Sequence, residues 1–253
     1  MFDRRALTEA FRGHDAVVNL ATSMPTAATF IFRRAWRPTE RVRVEGSAAV
    51  VDAALAAGVP RLVQESVSMV YPDCGDRWID EDVAPEPYPN ATGNLAAEAS
   101  AARFGSAGGA AVTLRLGLFY GVGARHSEEF LAMARRHVVP LMGRPESYLS
   151  SIHVADGGAA VVAALGVPAG VYNVVDDQPL TKREFADALA RAAGTKPWIR
   201  GPGRLALLFG HRTASLTRSM RVSNRRFREA SHWRPKYPSA REGWTAMANE
   251  LGR

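Results

Sequence analysis

Two periods of apolar residues run through this chain. Short runs of β character, DAVVNL at 15–20, RLVQES at 61–66, AVTLRL at 111–116 and GVYNVV at 170–175, predict four strands. Between and around them, apolar residues recur at helical spacing over 3–11, 44–57 and 94–104, from Ser127 onward, and from IHVAD at 152–156 to Leu165. Gly58 with Pro60 and then Gly105 supply helix stops. Thr181 with Glu184 and Ser239 with Glu242 have the spacing of capping boxes for two more helices, the first ending at Gly194. Strand and helix alternate throughout, which predicts an α/β fold built on a doubly wound parallel sheet.

In such a sheet, ligands lie outside the carboxyl ends of the strands. The 61–98 stretch has the form of a site rim. Its strand ends in Gln64, Glu65, Ser66 and Ser68, an acidic and proline-rich loop follows, and a helix begins near Thr92. The first strand ends at Asn19 and runs into Ala21, Thr22 and Ser23, small and polar residues that let a sugar or base lie against the backbone. The loop at 117–125, GLFYGVGAR, is glycine-rich and aromatic and can bend closely round a ligand.

Composition narrows the possibilities. At 253 residues the chain is one domain, or one domain with a smaller lobe, and 47% hydrophobic residues suit a globular protein. No apolar run reaches the roughly 20 residues of a membrane helix. The amphipathic start, MFDRRALTEAF, holds no signal core, so the expectation is a cytoplasmic protein. A single cysteine, Cys74, excludes an internal disulfide and a multi-cysteine metal site. The six histidines have no metal-ligand spacing, and neither a Gly-x-Ser-x-Gly elbow nor a Gly-x-x-x-x-Gly-Lys loop is present. The net charge of +7 is concentrated in an arginine-rich last quarter. No aromatic stacking platform accompanies it, which favours a solvated surface with one phosphate contact at most over a nucleic-acid site.

Several segments carry a family resemblance. They are DAVVNLAT (15–22), VEGSAAVVDAALAAGVPRLVQESVSMVY (44–71), NLAAE (94–98), LRLGLFYGVG (114–123), IHVAD (152–156), GVYNVVDDQPLTKREF (170–185) and WRPKYPSAREGW (233–244). In order and spacing they resemble the extended short-chain dehydrogenases/reductases of the NAD-dependent epimerase/dehydratase group, and its atypical members in particular. The resemblance implies an incomplete Rossmann-like domain over 1–175 and a small C-terminal substrate lobe mainly over 176–253, with elements of the two interleaved. It also implies NAD or NADP as cofactor, with Asn19, Ala21, Ser66, Leu116, Gly117 and Phe119 beside it. Ser68, Tyr120, Arg125 and His153 would face a small or nucleotide-linked substrate, with Arg125 suited to an anionic one.

Two features depart from that pattern. The glycine fingerprint Gly-x-x-Gly-x-x-Gly after the first strand is absent, as though three strands and two helices had been removed, and GSAGG at 105–109 follows a helix and cannot replace it. Where the Tyr-x-x-x-Lys pair belongs stand Asn90 and Asn94, neither able to exchange a proton. Val67 takes the usual Ser or Thr position before Tyr71, so Ser66 and Tyr88 become the catalytic candidates, while Tyr71 and Tyr120 read first as structural aromatics. Three readings follow: an NAD(P)-dependent oxidoreductase or epimerase, a non-catalytic nucleotide- or partner-binding relative, and a cofactor-free isomerase or cyclase in the same scaffold. The strand at Val17 becomes a sheet edge, which predicts aggregation or pairing with another copy of the chain.

Overall fold

The computed structural model describes residues 1–26 and 29–252. Its centre is a parallel sheet of four strands, β1 (Ala16–Asn19), β2 (Arg61–Val67), β3 (Ala110–Leu116) and β4 (Gly170–Val174), side by side in chain order. Register aligns Val17 with Leu62, Leu62 with Ala111, and Val112 with Gly170. All four strands coincide with the apolar runs that predict them; the central β2 and β3 are buried along most of their length, while the edge strand β1 leaves Val18 exposed.

Each face has its own core. On one, Val17 and Leu62 pack with Val50, Val51 and Phe104 from the helices Ser47–Ala56 and Thr92–Ser106. On the other, Val63, Val112 and Leu114 meet Ala160, Phe227 and Trp233. A third core joins Leu131, Phe185, Leu189, Trp244 and Met247 under the helices Arg125–Arg135, Lys182–Ala192 and Ala240–Leu251. Both capping boxes form, at Thr181 with Glu184 and at Ser239 with Glu242. The 125–135 helix starts two residues before the expected Ser127, whose hydroxyl is buried inside it without a partner.

The helix expected over 44–57 is the last part of a longer run. It opens at Arg37–Arg41 with Pro38 in the first turn, passes through a π turn at Val42–Gly46 and continues as Ser47–Ala56. The π turn inserts an extra residue, and π turns of this kind gather at functional sites. Arg43 sits on it, turned inward and buried.

Short strand pairs tie the C-terminal half to the sheet. Leu118–Tyr120 pairs with Ser151–His153, Val138–Met142 with Ile199–Gly203, and Trp78–Ile79 with Arg221–Val222. Of the ten basic residues from Arg200 to Lys236 seven are exposed, in line with the expected solvated surface, while Arg218 is buried and several of the others pair with acidic neighbours. Arg218 pairs with Glu86 at 2.9 Å, Arg226 with Asp82 at 2.7 Å, and Arg221 donates to the Asp76 carbonyl at 3.2 Å. A basic strand-and-helix segment thus clips down the acidic loop that follows β2.

Among the described residues, β1 pairs only with β2 and its outer edge is open, with Val18 40% exposed. Among the described residues, no helix is long and apolar enough to cross a membrane.

Candidate active site

A cavity of about 690 Å³ opens across the carboxyl ends of β1, β2 and β3. Leu20 and Thr22 continue from β1, Glu65, Val67 and Met69 come from the end of β2 and its turn, and Leu116, Gly117, Leu118 and Phe119 follow β3. Met24, Pro25, Phe30, Ile31 and Trp36 close one side, while Phe130, Pro140, Met142, Val154 and Val161 close another. Polar side chains are few: Thr22, Arg43, Glu65, Tyr88, Asn90, Asn94, His126 and Ser215. A wall this apolar with a handful of polar groups is the usual form of a small-molecule site.

Strand alternation decides which groups reach the cavity. Glu65 and Val67 of β2 line it, and Ser66 between them points to the opposite face. There the Ser66 hydroxyl donates to Glu98 at 2.6 Å, and Glu98 also accepts from Arg115 Nε at 3.0 Å and Nη2 at 2.8 Å. Arg115 Nη1 donates to the Tyr71 hydroxyl at 2.9 Å, which in turn donates to Asn173 at 2.8 Å. Ser66 and Tyr71 therefore belong to a buried network that fastens the 92–106 helix to β2, β3 and β4.

On the cavity side, Arg43 reaches from the π turn to two partners. Its Nη1 donates to Asn94 Oδ1 at 2.8 Å and its Nη2 to Glu65 Oε1 at 3.1 Å. The side chains are 5% and 10% exposed, so the pair is almost dry. Burial pushes the Glu65 carboxyl above its ordinary range, with the Arg43 charge opposing. Glu65 Oε2, Arg43 Nε and Asn94 Nδ2 have no partner.

Of the residues expected at a site, Tyr88, Leu116, Gly117 and Phe119 line the cavity. Tyr88 is buried between Val70, Ala91 and Ala214 with the Arg218 guanidinium 4.6 Å from its ring centre. Burial pushes its phenol up to about 12, the Arg218 charge opposing. Asn90, in the place of the missing tyrosine, and Asn94, in the place of the lysine, are in the wall as well.

The other candidates stand elsewhere. Asn19 donates to Gln64 at 2.9 Å and to Ser47 at 3.3 Å and accepts from the Ala21 amide at 3.3 Å, shaping the turn after β1, while Ala21 itself is exposed beside the wall residues Leu20 and Thr22. Ser68 is buried in the turn after β2, its hydroxyl without a partner. Tyr120 donates to the Ser239 carbonyl at 3.2 Å, and its ring packs on Phe185 and Trp244. His153 accepts from the Ala155 amide at 3.2 Å and caps the helix Val154–Ala163. Arg125 is 83% exposed in its side chain and pairs with Glu129 on the same helix at 3.1 Å.

Arg43 is the site residue that sequence reasoning passes over. A weak signal was available: it is flanked by Val42 and Val44 and lies four residues before the buried Ser47, on the same side of the helix, but it stands in a charged run with Glu40, Arg41 and Glu45 that hides it. Glu65 stood in the polar cluster at the strand end without a role. Its partner lies 22 residues away, on an element whose π turn has no sequence signature.

A parallel sheet whose strand ends frame one apolar cavity, with a loop after β3 fit to pack on a flat ring, defines the Rossmann-like class of enzymes. Within that class, the chain belongs to the NAD dependent epimerase/dehydratase family, whose profile matches residues 1–174. A 3-diazoavenalumate denitrifying reductase from a Streptomyces species is 34% identical over 220 residues, covering 83% of this chain and 72% of the relative. The fold is shared with the UDP-glucose 4-epimerase of Thermus thermophilus in complex with NAD, at TM-score 0.79 and 24% identity, over 99% of this chain and 82% of that one. It is shared too with DesIV, a dTDP-glucose 4,6-dehydratase of Streptomyces venezuelae with NAD bound, at TM-score 0.78 and 20% identity, over 98% and 76%.

The family is NAD-dependent, and its structural neighbours are NAD or NADPH complexes. The residues of this chain fit part of such a cofactor. Leu20, Thr22 and the segment from Leu116 to Phe119 offer an apolar slot for the nicotinamide end. For the diphosphate end, these 253 residues contain no Gly-x-x-Gly-x-x-Gly turn.

Proposed function

We propose that the chain is an NAD(P)-dependent oxidoreductase whose substrate is small and mainly apolar rather than a sugar nucleotide. The observation that carries this reading is the cavity wall: aliphatic and aromatic side chains surround the space, and among the described residues Arg43 is the one lysine or arginine in it, already engaged by Glu65. A sugar nucleotide would add a second diphosphate beside that of the dinucleotide, and this wall has no free donors or cations in surplus to hold it. The reductase from Streptomyces, whose name carries a diazo acid, supports a substrate of this type.

The nicotinamide supplies hydride chemistry when bound. This chain's own groups bind and orient. Leu116, Phe119 and Val67 exclude water from the reacting atoms, and Tyr88 keeps its proton throughout the neutral range, so it acts as a hydrogen-bond donor toward the substrate. Asn90 and Asn94 offer amide groups without proton exchange.

The test is a turnover assay with NADH or NADPH against a panel of small diazo and carbonyl compounds, followed by nicotinamide absorbance. Oxidation of the cofactor that depends on an apolar substrate supports the reading. Turnover of UDP- or dTDP-sugars in its place overturns it, and tight dinucleotide binding without any turnover favours the non-catalytic alternative.

A further inference from the structure

Outside the cavity, exposed apolar side chains gather in one short stretch. Trp198 is 80% exposed, Leu205 65% and Leu208 82%, and Ile199, Leu207 and Phe209 are exposed in the same stretch. Single leucines scattered over a surface need no account, but six large apolar side chains within twelve residues do. The stretch is held from beneath. Ile199–Gly203 pairs in parallel with Val138–Met142, and the Gly143 amide donates to the Gly203 carbonyl at 2.9 Å. The 3-10 helix that follows, Arg204–Arg212, is pinned by the buried Ala206, whose carbonyl accepts from the Thr213 hydroxyl at 2.8 Å. Three residues make one turn of such a helix, so Leu205 and Leu208 stand one above the other on a ridge turned to solvent. Charge gives the ridge its character: from Ala188 to Arg228 the chain holds no aspartate or glutamate. Arg204 is tied to Glu146 and Arg200 to Asp187, while Arg212, Lys196 and Arg144, the last next to Gly143, are exposed and form no salt bridge among the described residues.

We propose that the segment from Trp198 to Arg212 docks the protein on an anionic membrane surface, with Trp198, Leu205 and Leu208 entering the interface and the charges of Arg144, Lys196 and Arg212 meeting lipid headgroups. Tryptophan and leucine rimmed by long cationic side chains are the set that an interfacial contact with a bilayer uses, the apolar part below the headgroups and the charge among them. A second copy of the chain fits this surface less well, because a two-fold contact would bring the same excess of cations together from both sides. The segment also adjoins the cavity. Pro140 and Met142 line the cavity and pair with Gly201 and Gly203 of the docking segment, and Ser215 and Leu216, just beyond the segment, line it as well. An apolar ligand dissolved in the bilayer would therefore meet the protein beside its binding space. The docking itself rests on the ridge and its charges, and it stands whether or not the cavity turns over an apolar substrate.

The experiment is co-sedimentation of the full chain with vesicles of phosphatidylcholine and phosphatidylglycerol in equal parts, with vesicles of phosphatidylcholine alone for comparison. The mixed vesicles are expected to bind the protein at least about tenfold more tightly than the neutral ones, and the binding weakens as salt is raised. Tryptophan emission shifts to the blue on binding, and Trp198→Phe removes that shift. Leu205→Ser combined with Leu208→Ser should lower affinity for the mixed vesicles by about tenfold or more, with the unfolding temperature unchanged because both side chains project into water. Absence of binding to the mixed vesicles overturns the docking. Binding that the two serines leave within about twofold of wild type overturns it as well, since net charge alone would then account for it. Self-association that the serines abolish, in a protein that does not bind vesicles, overturns it in favour of a second copy of the chain on the ridge.

Discussion

Arg43 Nη2 and Glu65 Oε1 meet at 3.1 Å in the wall of an apolar cavity, where a family of this type would carry hydroxyl, phenol and ammonium groups. The pair brings a charge of each sign where Asn90 and Asn94 have removed the proton-transfer couple. Taking the cation away would leave Glu65 ionised and dry. Arg43→Ala is expected to lower stability by about 3 to 5 kcal/mol, while the double variant Arg43→Met with Glu65→Leu recovers most of that loss. Urea denaturation of the two variants checks it, and equal losses would show that the pair is not coupled.

Ser66 yields a second expectation. Its hydroxyl donates to a carboxylate that is already held by both arms of Arg115, on the face of β2 turned away from the cavity. Ser66→Ala should cost about 1.5 to 3 kcal/mol, as befits a bond to a charged acceptor, with affinity for apolar ligands unchanged. Tyr88→Phe should show the opposite pattern: little change in stability and a loss of ligand affinity or turnover. A Ser66→Ala protein of full stability that binds ligand poorly would return the serine to the site.

Much of this fold was legible because the central strands are buried on both faces and every strand carries an apolar run. Val17, Leu62, Val112 and Val174 fall in such runs; the 47–56 helix stops before Gly58, while the 92–106 helix runs through the expected stop at Gly105 and ends before Gly108. The cavity's apolar floor was legible at Leu116, Gly117 and Phe119 through the family resemblance of LRLGLFYGVG rather than through the apolar pattern. What the sequence did not disclose depends on contacts across long separations. Arg43 reaches Asn94 over 51 residues, and Arg218 reaches the Tyr71 carbonyl over 147. Nor does local pattern distinguish Glu65 from Ser66: only the register of β2 shows that one faces the cavity and its neighbour faces Glu98. The arginine-rich segment reads as exposed surface and mostly is, but the partners of Arg218 and Arg226 escape local pattern because they lie in an acidic loop more than a hundred residues earlier.

Asp176 stands at the end of β4 with its carboxyl pushed well above the usual range, by burial first, against the hydroxyl of Ser151 that donates to it at 2.8 Å. Its other oxygen has no partner. Because the folded protein holds this proton more tightly than the unfolded chain, the group's contribution is fully present below the ordinary carboxylate range and is lost as pH rises through the raised folded value. Asp176→Asn retains an acceptor for Ser151 and removes the charge. It is expected to raise stability by about 1 to 2 kcal/mol at neutral pH, with the gain shrinking toward about pH 4. Thermal unfolding across that range checks the sign, and a gain that grows on acidification would contradict it.

The last expectation concerns the open edge. β1 presents one row of backbone groups to β2 and the other outward, with Val18 exposed on the strand and Leu20 half exposed beyond it. An unpaired, apolar edge of this kind templates pairing with another strand, and a charged side chain is the usual way to block it. The protein is therefore expected to self-associate with rising concentration in sedimentation velocity. Val18→Lys, whose side chain lies outside the core and the cavity wall, should shift the distribution toward monomer without changing thermal stability by more than about 0.5 kcal/mol. Wild-type protein that stays monomeric over the same concentrations would show that the β1 edge is protected in solution, and the lysine variant would then have no effect on sedimentation.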